Sequence, residues 1–210
     1  MKSNGLKHKG TARYLAITVV AILGVAGIAL IGSGLWVKAK SVLAQILLNQ
    51  AFERTLSSAP ESGIKPWYWA DMKPFARLHV PRLNVSSVVL NNTSGEALAF
   101  GPGHMANTPV PGENGTAVFA AHRDTHFSWL KNLQSGDQLN VERADGNKIS
   151  FKVTRSWIAR YDQSGVNADS SGRRLILSTC YPFDSDTPGP LRYLVEAEVG
   201  NSTPILHVNY

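Results

Sequence analysis

Cys180 is the only cysteine of the 210-residue chain. It ends the run RLILSTC; the following stretch YPFDSDTPGP is rich in turn residues, and Arg192 then opens a new alternating segment, RYLVEAEV. One thiol cannot staple its own chain, because an intramolecular disulfide needs two. It is either an inert buried side chain or a reactive group, and composition alone leaves both open. A thiol becomes a nucleophile when a neighbour favours the thiolate, and histidine is the usual neighbour. Of the six histidines, His8 precedes a long apolar run and His207 lies near the C-terminus, leaving His79, His104, His122 and His126. His122 ends the strongest central-strand candidate, TAVFAAH, and opens the polar turn HRDTH, the kind of strand-end loop on which rigid scaffolds hold functional side chains. Arg192 stands twelve residues past Cys180. A guanidinium beside a thiolate stabilises charge developing on a carbonyl oxygen, or holds a peptide backbone through its planar fork.

The elements that must position these groups are mostly strands. Side chains alternate across a strand with period two, so Ser178 and Cys180 share one face while Leu175, Leu177 and Thr179 share the other. Val118, Ala120 and His122 are set likewise against Ala117, Phe119 and Ala121. Further β-type runs are ARLHVPRLNV, SSVVLN, DQLNVER and KISFKVTRSWI, the last placing Ile149, Phe151, Val153 and Trp157 on one side. About seven strands separated by Gly, Asn, Asp and Pro turns indicate a mainly β domain, a closed barrel or a sandwich. Helical pieces are short: SGEALAFG, and HFSWLKNL with Asp124 or Thr125 as its cap. No internal repeat or low-complexity tract is present.

The N-terminal part is different in kind. Tyr14–Val37 runs for 24 residues without a charge, enough at about 1.5 Å per residue to cross a hydrocarbon core roughly 30 Å thick. That core is too long for a cleaved signal peptide, and Lys38 and Lys40 occupy the place where small neutral residues would be wanted. Lys2, Lys7, Lys9 and Arg13 precede the run against two lysines after it, which predicts a cytoplasmic N-terminus and an exported C-terminal domain. Beyond it, Ser41–Leu56 reads as a helix with Val42, Leu43, Ile46, Leu47 and Leu56 near one side, and SSAPESGIKP as a linker. Trp67–Trp69 is read as core packing. The resulting division is a basic tail at 1–13, a membrane anchor at 14–37, a helical stalk and linker at 38–75, a β domain at 76–200 and a tail at 201–210.

Charge excludes one class of function. Of 21 Lys and Arg, six lie in residues 1–40 with no acid among them, which leaves 15 basic against 15 acidic residues in 41–210. The exported part is neutral, with no clustered basic stripe to track nucleic acid. A single cysteine with scattered histidines gives no thiolate zinc site, and Asp162, Asp169, Asp184 and Asp186 lack the spacing of a calcium loop, so no metal or cofactor is expected.

Taken together, LAFGPGHMANTPVPGENGTAVFAAHRDTHFSWLKNLQSGDQL and LILSTCYPFDSDTPGPLRYLVEAEV resemble the sortase family of cysteine transpeptidases, over about Trp69 to Val199. The matching features are AHRDTHF, STC and the arginine twelve residues past the cysteine. Within the family the chain is most similar to the membrane-anchored class GN of Gram-negative proteobacteria. The resemblance implies an eight-stranded β-barrel with Cys180 as nucleophile, attacking the Thr–Gly bond of an LPXTG-like sorting signal. It makes His122 the group that protonates the leaving amine, and Arg192 the residue that binds the signal and stabilises the oxyanion. The implied partners are a protein bearing the sorting signal, an amine acceptor and the cytoplasmic (inner) membrane, with the domain on its periplasmic side. His104 also matches, as a loop hydrogen-bonder; Arg123 points away from His122 into a surface or packing role; Asp124 either orients His122 or caps. Two other readings stay open: an exported cysteine peptidase using the same Cys180 and His122, and a non-catalytic tethered β-domain with Cys180 inert.

Overall fold

The computed structural model describes residues 5–58 and 63–200, with side chains at 17–20, 22–28 and from 42 onward. The expected tail at 201–210 and part of the linker lie outside the described residues. The chain divides into two compact units, Met1–Ala44 and Gln45–Tyr210. One helix, α1 (Gly5–Ser57), contributes to both.

In the first unit, Ile17, Val19, Val20, Ile22, Leu23, Val25 and Ile28 are all between 48 and 73% exposed. Among the described residues no helix is long and apolar enough to cross a membrane; the side chains of 14–16, 21 and 29–37 lie outside them.

The second unit is a closed barrel of eight strands: β1 (Pro74–Val80), β2 (Val85–Leu90), β3 (Gly103–His104), β4 (Gly115–Ala120), β5 (Gln138–Arg143), β6 (Lys148–Arg160), β7 (Arg173–Cys180) and β8 (Leu191–Val199). They close in the order β1-β2-β3-β4-β7-β8-β6-β5. The barrel interior is filled by alternate residues of the strands, among them Leu78, Val89, Phe119, Leu139, Phe151, Leu175, Leu177 and Val195. Polar and apolar positions alternate because one face of each strand meets this core. Pro81 ends β1, as a residue without an N–H must where a ladder would continue, and a single 3-10 turn carries the chain into β2. The short helix α2 (Gly95–Phe100) starts at Ser94, whose hydroxyl accepts the Ala97 N–H at 3.1 Å.

Several expectations need correction. In α1 the stripe that packs on the barrel unit is Leu48, Ala51, Phe52 and Thr55, at i, i+3, i+4 and i+7, whereas Val42, Leu43 and Ile46 are 60, 55 and 48% exposed. Leu48 and Phe52 meet Met72, Val88 and Leu90. Of Trp67–Trp69 only Trp67 packs, edge-on to Phe100 at 4.9 Å between centroids; Tyr68 and Trp69 are 94 and 74% exposed. The helix after His126 is a 3-10 turn, Ser128–Asn132, with no side-chain cap from Asp124 or Thr125.

The largest error concerns β6. Its pairing to β8 shifts register between Val153 and Arg155, leaving Thr154 as an extra residue. A bulge of one residue turns every later side chain to the opposite face. Phe151 and Val153 therefore fill the barrel, but Trp157 packs outside it with Val118, Ile176 and Leu194.

Polar closure of the barrel end rests on Asp137, 8% exposed. Its two oxygens accept from Arg82 Nε at 2.5 Å, from Arg82 Nη2 at 2.7 Å and from the Gln134 N–H at 2.8 Å. The Arg82 hydrogen bond holds this carboxyl below its usual range. A depressed carboxylate contributes stability that is present above its unfolded pKa and lost as pH falls through the folded one. Asp137→Asn should lower stability by roughly 1–2 kcal/mol at neutral pH, the low end applying because the guanidinium is partly exposed. Urea titrations at pH 7 and pH 3 check this: the difference between wild type and variant should shrink at the acid pH.

Candidate active site

The site is built on three neighbouring strands. β4 runs parallel to β7, paired from Gly115↔Arg173 to Ala120↔Ser178. β8 runs antiparallel on the other side of β7, with Cys180↔Arg192 as the last pair. The Tyr181 N–H donates to the Leu191 carbonyl at 3.0 Å, one residue beyond that pair on each strand. Cys180 and Arg192 therefore form a non-hydrogen-bonded pair, the type whose Cα atoms approach to about 4.5 Å and whose side chains lie closest. Both are partly exposed, and the thiol is free.

His122 reaches the same level from β4. The pairing continues one step past the strand, where the Ala121 N–H donates to the Ser178 carbonyl at 3.2 Å. By the same count His122 falls level with Cys180. Ala117, Phe119 and Ala121 point into the barrel and Val118 outward, so the alternation puts His122 on the outer side. It is exposed, and its carbonyl accepts the Phe127 N–H at 3.0 Å, which closes the HRDTH turn.

Behind this outer face, buried Thr179 donates its hydroxyl to the Ala121 carbonyl at 2.7 Å. The residue before the cysteine thus fastens the residue before the histidine. Its type was a signal: a hydroxyl on the core face of a strand must find an acceptor.

Outward of the wall lies a groove of about 380 Å3. Val118, Ala120, Ser178 and Leu194 form its floor; Met105 and Thr108 stand on one side, Tyr161 and Val166 on the other. The floor leads along β4 and β7 toward His122 and Cys180. Gly115, at φ +113°, lets the two sides meet: a Cβ there would lie 2.5 Å from the Ala168 carbonyl oxygen and 2.7 Å from Pro109. Trp157 donates its indole N–H to the Ser164 carbonyl at 3.1 Å and steadies the β6–β7 loop.

Arg192 lines the groove. Its Nη1 donates to the Gly189 and Leu191 carbonyls, both at 2.9 Å, and its guanidinium carbon lies 5.7 Å from the Tyr161 ring centroid. Among the described residues, Nε and Nη2 have no hydrogen-bond acceptor. One end of the guanidinium is anchored to its own loop and the other is available to a ligand.

His104 and His126 are held by partners of their own. His104 is 5% exposed, stacked on Phe75 at 4.3 Å, and donates Nε2–H to the Pro109 carbonyl at 3.0 Å. Burial pushes its pKa below the usual imidazole range. It is a hydrogen-bonder of the β3–β4 loop. His126 donates Nε2–H to the Ala99 carbonyl at 3.4 Å; burial lowers its pKa, the neighbouring His122 lowers it further, and the Ala99 bond and Asp124 oppose this. Asp124 is exposed, and among the described residues it makes no hydrogen bond to His122. Arg123, expected in a surface or packing role, is partly buried, and its Nη2 donates to the Ser185 carbonyl and, at 2.9 Å, to that of Thr187. Sequence reasoning had no signal for Arg123 or Tyr161, whose partners lie far along the chain.

Comparisons with known proteins agree with this architecture. Sortase D of Bacillus subtilis (strain 168) is 32% identical over 119 residues, which are 56% of this chain and 60% of that relative; the match spans less than two thirds of the relative's length. A Clostridium perfringens sortase D5 transpeptidase superposes with a TM-score of 0.60 at 21% identity, covering 76% of this chain and 99% of that one, a likeness of fold alone. Sortase C1 of Streptococcus agalactiae superposes with a TM-score of 0.54 at 27% identity, covering 60% of this chain and 69% of that one. The family model described as the sortase domain matches residues 78–199, more than half of the chain. The chain belongs to the sortase family.

Proposed function

We propose that this chain is a membrane-anchored cysteine transpeptidase of class GN, which cleaves an LPXTG-like sorting signal through Cys180 and transfers the upstream protein to an amine. The observation that carries the reading is the Cys180↔Arg192 pair beside His122 at the end of an open groove. In the proposed sequence the Cys180 thiolate adds to the carbonyl carbon of the signal's threonine, and the charge moves to the carbonyl oxygen. The unanchored nitrogens of Arg192 are suited to hold that oxygen, an electrostatic contribution that grows as charge develops. His122, protonated, gives its proton to the departing glycine nitrogen, the C–N bond breaks, and a thioester on Cys180 remains. An incoming amine then attacks the thioester, His122 takes up its proton, and the thiolate leaves. The exposure of His122 supports entry of that second substrate.

The apolar floor of Val118, Ala120 and Leu194 supports a signal with an apolar residue ahead of the reacting threonine. The exposed aliphatic side chains between Ile17 and Ile28 support an anchor in the inner membrane, with the basic N-terminus in the cytoplasm and the barrel in the periplasm.

Four experiments test the reading. Cys180→Ala should abolish acyl-enzyme capture and peptide cleavage with the fold intact, and His122→Ala should lower turnover by at least about 10²-fold. Adding an amine to wild type should divert product from hydrolysis to conjugate; hydrolysis unaffected by amine would instead indicate a peptidase. For the arginine, Arg192→Lys keeps the charge but loses the planar fork, so both it and Arg192→Ala should lose on the order of 10²-fold in kcat. Full activity of the lysine variant would reduce the role of Arg192 to charge alone. An alkaline phosphatase fused after residue 60 should be active and a reporter that works only in the cytoplasm silent; the opposite pattern would remove the periplasmic assignment.

A further inference from the structure

The three groups proposed to react come from two chain segments: His122 from one, and Cys180 and Arg192 from another that begins 58 residues later. Between Cys180 and Arg192 runs the β7–β8 loop, residues 181–190, with prolines at 182, 188 and 190 and Gly189. Only its ends continue the ladder: the Tyr181 N–H donates to the Leu191 carbonyl, and the Pro190 carbonyl accepts the Tyr161 N–H at 2.9 Å. Its middle is held internally by Ser185, whose hydroxyl donates to the Thr187 carbonyl at 3.1 Å. The Ser185 N–H reaches the Pro182 carbonyl only at 3.5 Å.

The bonds from Arg123 to the Ser185 and Thr187 carbonyls join this loop to the residue next to His122. Both come from Nη2. Nη1 is enclosed and has no hydrogen-bond partner among the described residues. Enclosing an unpaired donor is unfavourable, so the side chain is not placed here to satisfy its own fork. The geometry is set by what Nη2 reaches.

On this basis, and resting on the functional reading above, we infer that Arg123 is a positioning residue of the transfer reaction: it fixes the His122 turn against the loop that spaces Cys180 from Arg192. Arg123 acts through two backbone carbonyls and not on the substrate. Because one nitrogen makes both bonds, a lysine ammonium, with three donors at a single point, can replace it, whereas an apolar side chain of similar length cannot.

The test compares full-length wild type, Arg123→Lys and Arg123→Met in detergent by three measurements: thermal melting, amide hydrogen exchange of residues 184–187, and cleavage of an LPXTG-like peptide with an amine present. Arg123→Met should lower kcat at least about tenfold, the scale expected when reacting groups lose alignment. Its KM should stay within about twofold, because the groove is untouched. Its loop amides should exchange faster while the melting temperature is held. Arg123→Lys should restore most of both kcat and protection. A methionine variant with wild-type kcat or wild-type loop protection overturns the inference, as does a lysine variant no better than methionine. If wild type cleaves no peptide, it is the functional reading that fails, and loop exchange in Arg123→Met and Arg123→Lys still decides whether Arg123 holds the loop. Should the methionine variant not fold, the lysine variant decides: normal turnover with an unprotected loop overturns the inference.

Discussion

Everything at the site depends on β7 being paired on both sides, to β8 through its last residue, Cys180, and to β4 as far as Ser178. The parallel partner brings a histidine-bearing turn and the antiparallel partner brings an arginine, each at a height fixed by a ladder whose register cannot slip without reversing inside and outside. Leu175 and Leu177 resist such a slip because they are enclosed in the barrel, and a one-residue shift would put them in the groove. The position of the thiol is thus secured by apolar burial three and five residues away. Thr179 adds a polar lock from the inside, where water cannot compete for the Ala121 carbonyl.

The site also separates groups that are held from groups that are left available. His104 is stacked and bonded, burial holds its pKa below the usual imidazole range, and its bond to Pro109 fixes the loop that carries Met105 and Thr108 at the groove. Thr108 extends that arrangement by accepting the Val118 N–H at 3.1 Å, which ties the loop back to the floor. Arg192 spends one nitrogen on its own loop and keeps the others clear. A guanidinium fixed at one end loses less freedom on meeting a ligand than one that is wholly mobile, which is the physical content of preorganisation here.

How far this was legible in the sequence follows from the range of the interactions. The faces of β4 and β7 could be read because period two is a local property, and it separated Phe119 from Val118 and Ala120, and Leu177 from Ser178. β3 could not be read, since Gly103–His104 is two residues long and is defined by its neighbours. Its glycine admits the Asn92 carbonyl where a Cβ would come within 2.1 Å, a contact invisible from composition. The buried stripe of α1 was read correctly only at Leu56, which packs with Leu48 and Phe52, because nearly every residue from Val42 to Leu48 is apolar. Arg123 and Tyr161 bond or stack across 31 to 64 residues, a distance at which one sequence carries no pattern; for Thr179 the need of an acceptor was legible, but not that the Ala121 carbonyl meets it.

The extra residue at Thr154 makes β6 a strand with two trades. Before it, odd-numbered positions belong to the barrel interior; after it, odd-numbered positions belong to the outer surface beside the groove. The same kind of replacement therefore has different meanings along a single strand. A change at Phe151 or Val153 is felt in the barrel interior, whereas one at Trp157 or Ala159 is felt in the outer cluster with Val118 and Leu194, behind the groove floor. A scaffold built this way can diversify what it recognises without renegotiating how it folds.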